Sequence, residues 1–375
     1  MMLTRVIAWS TVLFLVGCEG AAASPPDDAA ATGVDASASA ADAGEDSGLP
    51  ADPMLARWES VPAPDVGPLA IWGFLAADLG DGRALVFGGT NASEASGTTL
   101  GRAWLYDMRG SELAVSEVVV DGTKPAPRYC GCAAWDPERG KLVMTGGRDL
   151  DAPLGVPPET WELDLATSTW TEVAVPSSPQ GVIGCSMAWS GARHAMYLFG
   201  GAGARGASSK IFRYDATTPE WVELPATGPV PRYDAVLQPR DDGAKLLMFA
   251  GSLSASGAAF YSDLWLFDTT SETWVELEIA GDVPEGRRTP WVAQTPDGRG
   301  MYVAMGYDGD MLPIDDFWWL DFESARWTRL ELGADGPRAR GFSPALPGAA
   351  LGLGIMLGGF DAHVPVRDVW RLVAP

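Results

Sequence analysis

An aliphatic run that stops at a glycine pair returns six times along this chain. The stops are Gly88-Gly89, Gly146-Gly147, Gly200-Gly201, Ala250-Gly251, Met305-Gly306 and Gly358-Gly359, at intervals of 58, 54, 50, 55 and 53 residues. A second marker keeps the same period: an aromatic residue at Trp104, Trp161, Phe212, Trp265, Trp318 and Trp370. A third, at Trp170, Trp221, Trp274 and Trp327, follows the second by nine residues each time. Markers locked to one period of about 50 residues signal a solenoid, a propeller or an array, in which each copy is one supersecondary unit.

Residues 245–277 show what the unit is. Lys245-Leu246-Leu247-Met248-Phe249 is apolar enough to be buried on both faces as a strand, and the glycine after it permits a sharp exit with φ > 0. Asp263-Leu264-Trp265-Leu266-Phe267-Asp268 alternates and ends on an Asp that can cap a tight turn. The strand that follows carries Trp274, a large apolar surface to set against a neighbouring sheet.

The succession of aliphatic run, Gly-Gly, Asp-x-Trp-x-x-Asp and Thr-x-x-Trp resembles the kelch repeat. The resemblance covers roughly residues 55–375 and implies an all-β fold, a six-bladed kelch-type β-propeller with one four-stranded blade per repeat, as in the central domain of galactose oxidase. It says little about function, because such propellers bind proteins and sugars and only sometimes catalyse.

The two ends complement each other. Trp58-Glu59-Ser60-Val61 reads like Trp170-Thr171-Glu172-Val173, a fourth strand without the three before it. At the other end, residues 342–345, 352–357 and 368–372 give three strands without a fourth. The N-terminal strand is therefore expected to complete the last blade, closing the ring and removing its sheet edges.

Ahead of the ring, residues 1–5 form a short positive region and residues 6–16 an apolar stretch too short to span a bilayer as a helix. It runs into Leu15-Val16-Gly17-Cys18, which resembles a bacterial lipobox and implies a signal peptide over 1–17 with Cys18 lipidated. Residues 18–53 would then be the lipidated Cys and a disordered tether, rich in Ala, Asp and Ser and too poor in large apolar groups to bury a core. As a flexible coil its reach is about 30–35 Å. Residues 54–375 are the propeller. This places the protein in the cell envelope, on the extracytoplasmic side of a bacterial membrane and held there through its lipid alone.

Net charge is −23, of which residues 1–54 contribute −7, leaving −16 on the ring. So acidic a domain excludes nucleic acid as a natural partner and would be repelled by an anionic lipid surface. We expect a monomer.

Topology selects a functional face. With the blade strands lettered a to d from the channel outward, the d–a and b–c connections share one face. The a–b and c–d turns, such as residues 136–140 and 296–300, are tight and lie on the other. The b–c connections are long (90–101, 148–159, 202–210, 252–262, 307–316 and 360–367), and long loops on a rigid scaffold are where binding concentrates. An arginine recurs on that face at the entry to strand a: Arg128, Arg232, Arg287 with Arg288, and Arg338 with Arg340. In kelch proteins that bind acidic peptides the matching arginines ring the channel mouth, so the resemblance makes Arg128, Arg232, Arg288 and Arg338 candidate ligand contacts, with Tyr129 and Tyr233 beside them as flat surfaces. Each such arginine has a structural alternative, satisfying loop carbonyls or pairing with an acid.

The inventory speaks against several chemistries. Galactose oxidase-like catalysis needs copper held by two His and two Tyr, but His194 and His363 are the only histidines and fall on opposite faces. No zinc spacing, nucleophile elbow or phosphate-cradling loop is present. The loop around Asp308, Asp310, Asp315 and Asp316 is the best Ca²⁺ candidate, yet it lacks the twelve-residue pattern ending in Glu and reads as a solvated acidic loop. No metal or cofactor is expected. Cys130 and Cys132 lie on strand a of one blade and Cys185 on strand a of the next, so a disulfide from Cys185 to either is feasible in an oxidising compartment, with three buried thiols as the alternative.

The reading is a lipid-anchored propeller binding a protein or carbohydrate ligand at its channel mouth. The alternatives are a sugar-processing enzyme, such as a sialic-acid-type mutarotase needing only an acid, a base and an arginine, and a purely structural surface protein.

Overall fold

The computed structural model describes residues 53–93, 97–150, 159–176, 178–179, 183–254, 259–333 and 335–374. The expected signal peptide, Cys18 and the Ala-rich tether lie outside the described residues.

Six antiparallel sheets make up the ring, five of them with their four main strands hydrogen-bonded in sequence order and the sixth joining the two ends of the described chain. Blade 1 is Leu75–Asp78, Arg83–Phe87, Ala103–Asp107 and Ala114–Val118. Blade 2 is Tyr129–Asp136, Lys141–Arg148, Thr160–Asp164 and Thr169–Val173. Blade 3 is Ile183–Ser190, Ala195–Gly203, Ile211–Asp215 and Glu220–Leu224, with Gly206–Ala207 added beside its second strand. Blades 4 and 5 run Val236–Arg240, Lys245–Phe249, Leu264–Asp268, Thr273–Glu276, and Trp291–Gln294, Gly300–Ala304, Phe317–Asp321, Arg326–Leu330. Blade 6 is Leu346–Pro347, Gly354–Leu357 and Val369–Val373, completed by the N-terminal strand Arg57–Val61. The ring is a six-bladed β-propeller closed as the two chain ends predict, with Arg57 opposite Val373 and Val61 opposite Val369.

One boundary differs from expectation. Strand a of blade 6, expected over 342–345, begins at Leu346. Phe342 has φ 56° and Pro344 has no N–H to give a ladder; the Ser343 hydroxyl donates to the Leu357 carbonyl (2.7 Å) instead.

The aliphatic runs fill the sheets' interiors: Leu246, Leu247, Met248 and Phe249 are at most 1 % exposed. The strand-d tryptophans fill the gaps between sheets. Trp170 packs on Phe87 at 5.2 Å, Trp274 on Phe199 at 5.2 Å and Trp327 on Phe249 at 5.4 Å, in each case against strand b of the preceding blade. Trp58 fills the gap at the closure, 4.8 Å from Trp291 on strand a and 5.7 Å from Phe317 on strand c of blade 5. Each wedge therefore couples two blades, and truncating one to Ala costs about 3–5 kcal/mol.

The glycine pair has a specific job at the blade junction. A Cβ on Gly88 would lie 2.2 Å from the Arg128 carbonyl oxygen, and the Gly89 N–H donates to that same oxygen at 2.9 Å. Ala250 and Met305, which replace the first glycine, hold its left-handed conformation at φ 67° and 61°. One disulfide, Cys132 to Cys185, ties blade 2 to blade 3 with its Cα atoms 5.6 Å apart and leaves Cys130 as a free thiol.

Candidate functional site at the channel mouth

The repeated arginine turns out to be a strut. Arg232 is fully buried; its Nε donates to Val230 O (3.2 Å), its Nη1 to Ala250 O (3.1 Å), and its two Nη groups grip Asp263 at 2.5 and 2.8 Å. The Trp265 indole N–H donates to the same carboxylate at 2.8 Å. Arg287 repeats the pattern with Met305 O, Asp316 and Trp318. Arg128 does so with Gly146 O, Glu159 and Trp161, and Arg340 holds Gly358 O and Asp368. The carbonyl of each arginine accepts the second-glycine N–H of the preceding blade, at 2.8–3.1 Å. Blade 1 has Ile71 at the arginine's place and blade 3 has Val182; their acid positions hold Arg102 and Lys210, so arginine and acid occur together or not at all.

Arg128 and Arg232, expected as ligand contacts, are placed by the structure as buried struts: Arg128 donates to Ala126 O, Gly146 O and Glu159, and Arg232 to Val230 O, Ala250 O and Asp263. Buried donors of this kind are costly to release.

Two residues beyond each strut position, occupied by arginine or not, six left-handed residues circle the channel: Gly73, Cys130, Gly184, Asp234, Thr289 and Phe342, with φ between 52° and 64°. Amides join neighbours around this ring: Gly73 N to Phe342 O, Cys130 N to Gly73 O, Asp234 N to Gly184 O and Thr289 N to Asp234 O, at 2.6–3.2 Å. The ring lines a chamber of about 200 Å³. Asp234 sits in it with a side chain 8 % exposed, 3.5 Å from Arg288 Nη1. Burial lifts the Asp234 pKa above the usual carboxylate range in spite of Arg288 and Arg148, whose charges act the other way. Burial first, and then the Asp234 charge, push the Cys130 thiol up to about 12.

Both arginines keep unused capacity. Arg288 donates from Nη1 to the Tyr233 hydroxyl at 3.1 Å, while its buried Nε has no partner. Arg148 lies over the Tyr129 ring at 4.9 Å with its Nε likewise unpartnered. Trp72 completes this wall, 5.2 Å from Tyr129, 5.2 Å from Phe342 and 5.4 Å from Phe360. Tyr129 is buried and Tyr233 half-buried, so both support the arginines more than they offer open faces. Arg338 is half-exposed and pairs with Asp361 at 2.7 Å.

The chain's similarity to known proteins follows the same lines. The family described as the KLHDC2/KLHL20/DRC7 Kelch-repeats domain matches residues 176–346. Kelch domain-containing protein 3 of Homo sapiens is 25 % identical over 272 residues, covering 67 % of this chain and 68 % of that protein. This chain is a kelch-repeat β-propeller. The putative adagio-like protein 2 of Oryza sativa subsp. japonica is 29 % identical over 293 residues, 71 % of this kelch chain but 44 % of that relative. The leucine-zipper-like transcriptional regulator 1 homolog of Drosophila melanogaster is 28 % identical over 199 residues, 48 % of this chain and 20 % of its own length. The chain thus spans less than half the length of these last two.

Among the described residues of the kelch ring, no group of three His, Cys, Asp or Glu side chains is placed to hold a metal. Asp308 spends its carboxylate on the Asp310 and Leu312 amides of its own loop. His194 pairs with Glu138 at an a–b turn. Asp234, Arg148, Trp72 and Cys130 were missed as site residues. The signal available was positional: three of them lie two residues after a strut position or directly after a glycine pair.

Proposed function

We propose that this kelch propeller is a binding module for a protein, held on the extracytoplasmic side of a membrane by a lipid on Cys18. One observation carries the choice of a protein ligand. Eight of the eleven exposed large apolar side chains among the described residues lie on one face. Leu150, Leu253, Leu312 and Val364 are on b–c loops; Val66, Val119, Val230 and Val283 follow strand d on the way to the next strand a. Exposed apolar groups gathered around a polar centre are the composition of a protein interface. At that centre stand Arg288 and Arg148 with unpartnered Nε groups and a carboxylate, Asp234, held where charge is disfavoured. A partner segment with an apolar surround and one carboxylate matches this pattern, and charge-assisted bonds to it are worth about 1.5–3 kcal/mol each.

The test is capture from envelope extracts on wild type, Leu253→Asp/Leu312→Asp, Arg288→Ala, and Arg299→Ala on the opposite face. A partner held by wild type and Arg299→Ala but released by the other two is expected. Equal capture by all four would remove the reading.

A further inference from the structure

The other end of the channel opens into a chamber of about 770 Å³, wider than the mouth and sharing its middle wall of Ala76, Ala133 and Met187. Its width comes from small residues: Ala77, Ala134, Ala188 and Ala293 line it on strand a of four blades. Five residues beyond the left-handed ring, each strand a places one residue in its lining. Blades 2 and 3, which are neighbours, place Trp135 and Trp189. Blade 1, on the other side of Trp135, places Asp78; blade 5 places Gln294. Blades 4 and 6 have Pro239 and Pro347, with Gln238 beside the first.

These two tryptophans are unlike the strand-d wedges. Trp170, Trp221, Trp274 and Trp327 are buried wedges, but Trp135 and Trp189 are only half-buried and line the open chamber. Neither indole N–H hydrogen-bonds to a described residue. The Gln294 amide nitrogen donates to Pro239 O at 3.0 Å and lies 3.4 Å from Gln238 Oε1. That leaves the Gln294 oxygen and the Gln238 nitrogen as one acceptor and one donor for something else. Asp78 is exposed.

We propose that this chamber is a second ligand site, which takes a neutral saccharide packed against Trp135 and Trp189 and hydrogen-bonded by Asp78, Gln238 and Gln294. A sugar ring carries a patch of C–H groups on one side and hydroxyls around its edge. The negative face of an indole attracts the first, and planar carboxylates and amides match adjacent hydroxyls of the second. The volume falls in the range of small-ligand sites, about 300–1,000 Å³. The charges exclude an anion: among the described residues of the lining the one cation, Arg240, is taken up over the Phe322 ring at 3.9 Å, and Asp78 and Asp241 would repel a phosphate or carboxylate. This site stands apart from the protein-binding face and does not depend on it.

Ligand-observed NMR and calorimetry on the propeller, with maltotriose, cellotriose, chitotriose and lactose as probes and choline as a cationic control, test the proposal. Saturable binding of at least one saccharide is expected. Trp135→Phe and Trp189→Phe, which keep the packing, each weaken it by about two- to fivefold, and Trp189→Ala or Gln238→Ala by about tenfold. Arg288→Ala at the mouth leaves it unchanged. No saccharide bound at tens of millimolar, binding of choline alone, or saccharide binding indifferent to the Trp189 and Gln238 variants each overturns it.

Discussion

Arg232 and Asp263 face each other through two parallel hydrogen bonds of 2.5 and 2.8 Å, with the arginine fully buried and the carboxylate also receiving the Trp265 indole. The pair locks the entry of strand a to the exit of the b–c loop within one blade, while the arginine's own carbonyl is held by the blade before it. Removing one partner strands the other charge. Arg232→Ala should therefore lose about 3–5 kcal/mol, and Arg232→Met with Asp263→Leu appreciably less. Denaturant midpoints decide this; an alanine variant within about 1 kcal/mol of wild type would show that the strut carries no stability.

Asp234 gives the opposite sign. Its folded pKa is raised above the ordinary 3.8, with burial the main cause. A carboxyl of this kind binds its proton better folded than unfolded, so its contribution is present below the unfolded pKa and is lost as pH rises through the folded one. At neutral pH the charge is a liability that Asn removes. Asp234→Asn should melt above wild type at pH 7, with the gap closing as pH approaches 3.8. A gap independent of pH would mean that the carboxylate is not responsible.

The same residue links protonation to the proposed ligand. Arg148 and Arg288 act on Asp234, and Cys130 and Tyr233 are acted on by it. A carboxylate docking at the two arginines adds negative charge beside Asp234 and favours its protonated form. Affinity for an acidic segment should rise as pH falls from 7 toward 5, and in Asp234→Asn this dependence should flatten. A titration series with the captured partner reads both.

Cys132 and Cys185 close a loop with a sequence separation of 53. Cross-links of this size contribute about 2–4 kcal/mol. Cys132→Ser with Cys185→Ser, or wild type under reductant, should melt lower by a matching amount. Wild type indifferent to reductant would count against the bridge.

Lipidation is read from detergent partitioning. Cys18→Ala is expected to leave the full-length protein in the aqueous phase, and partitioning like wild type would remove the anchor from the proposal.

The architecture was legible because its markers are backbone and packing necessities. The glycine pair answers a carbonyl 2.2 Å from where a Cβ would be, and the strand-d tryptophan is the wedge between blades. Where those markers weaken, the reading slips, as at Phe342 and Pro344. The site was less legible. Sequence offered Arg287 with Arg288 and Arg338 with Arg340, and nothing local says which of each pair turns inward; the structure buries Arg287 and Arg340 as struts. The companion acid two residues before each strand-c aromatic was readable, since it is present where the arginine is and absent where it is not. The choice between Cys130 and Cys132 depended on φ 55° at Cys130, which takes that residue out of the strand's alternation and into the channel ring. Asp234 and Arg148 come from different blades, and only closure of the ring brings them together.

The closing sheet also fixes an order of events. Residues 57–61 leave the ribosome early, and their partner, residues 369–373, comes last. Five blades can assemble from neighbouring segments as they emerge, but the sixth waits for residues 369–373, with Trp58 and the strand that carries it lacking their place until then. Pairings this distant in sequence are slow, because the chain must be brought together before any contact rewards it. The ring is thus sealed only once residues 369–373 are available, and its interval of greatest exposure to misassembly falls just before that last link is made. A circular permutant that opens the ring between two whole blades would keep the same contacts and shorten that interval.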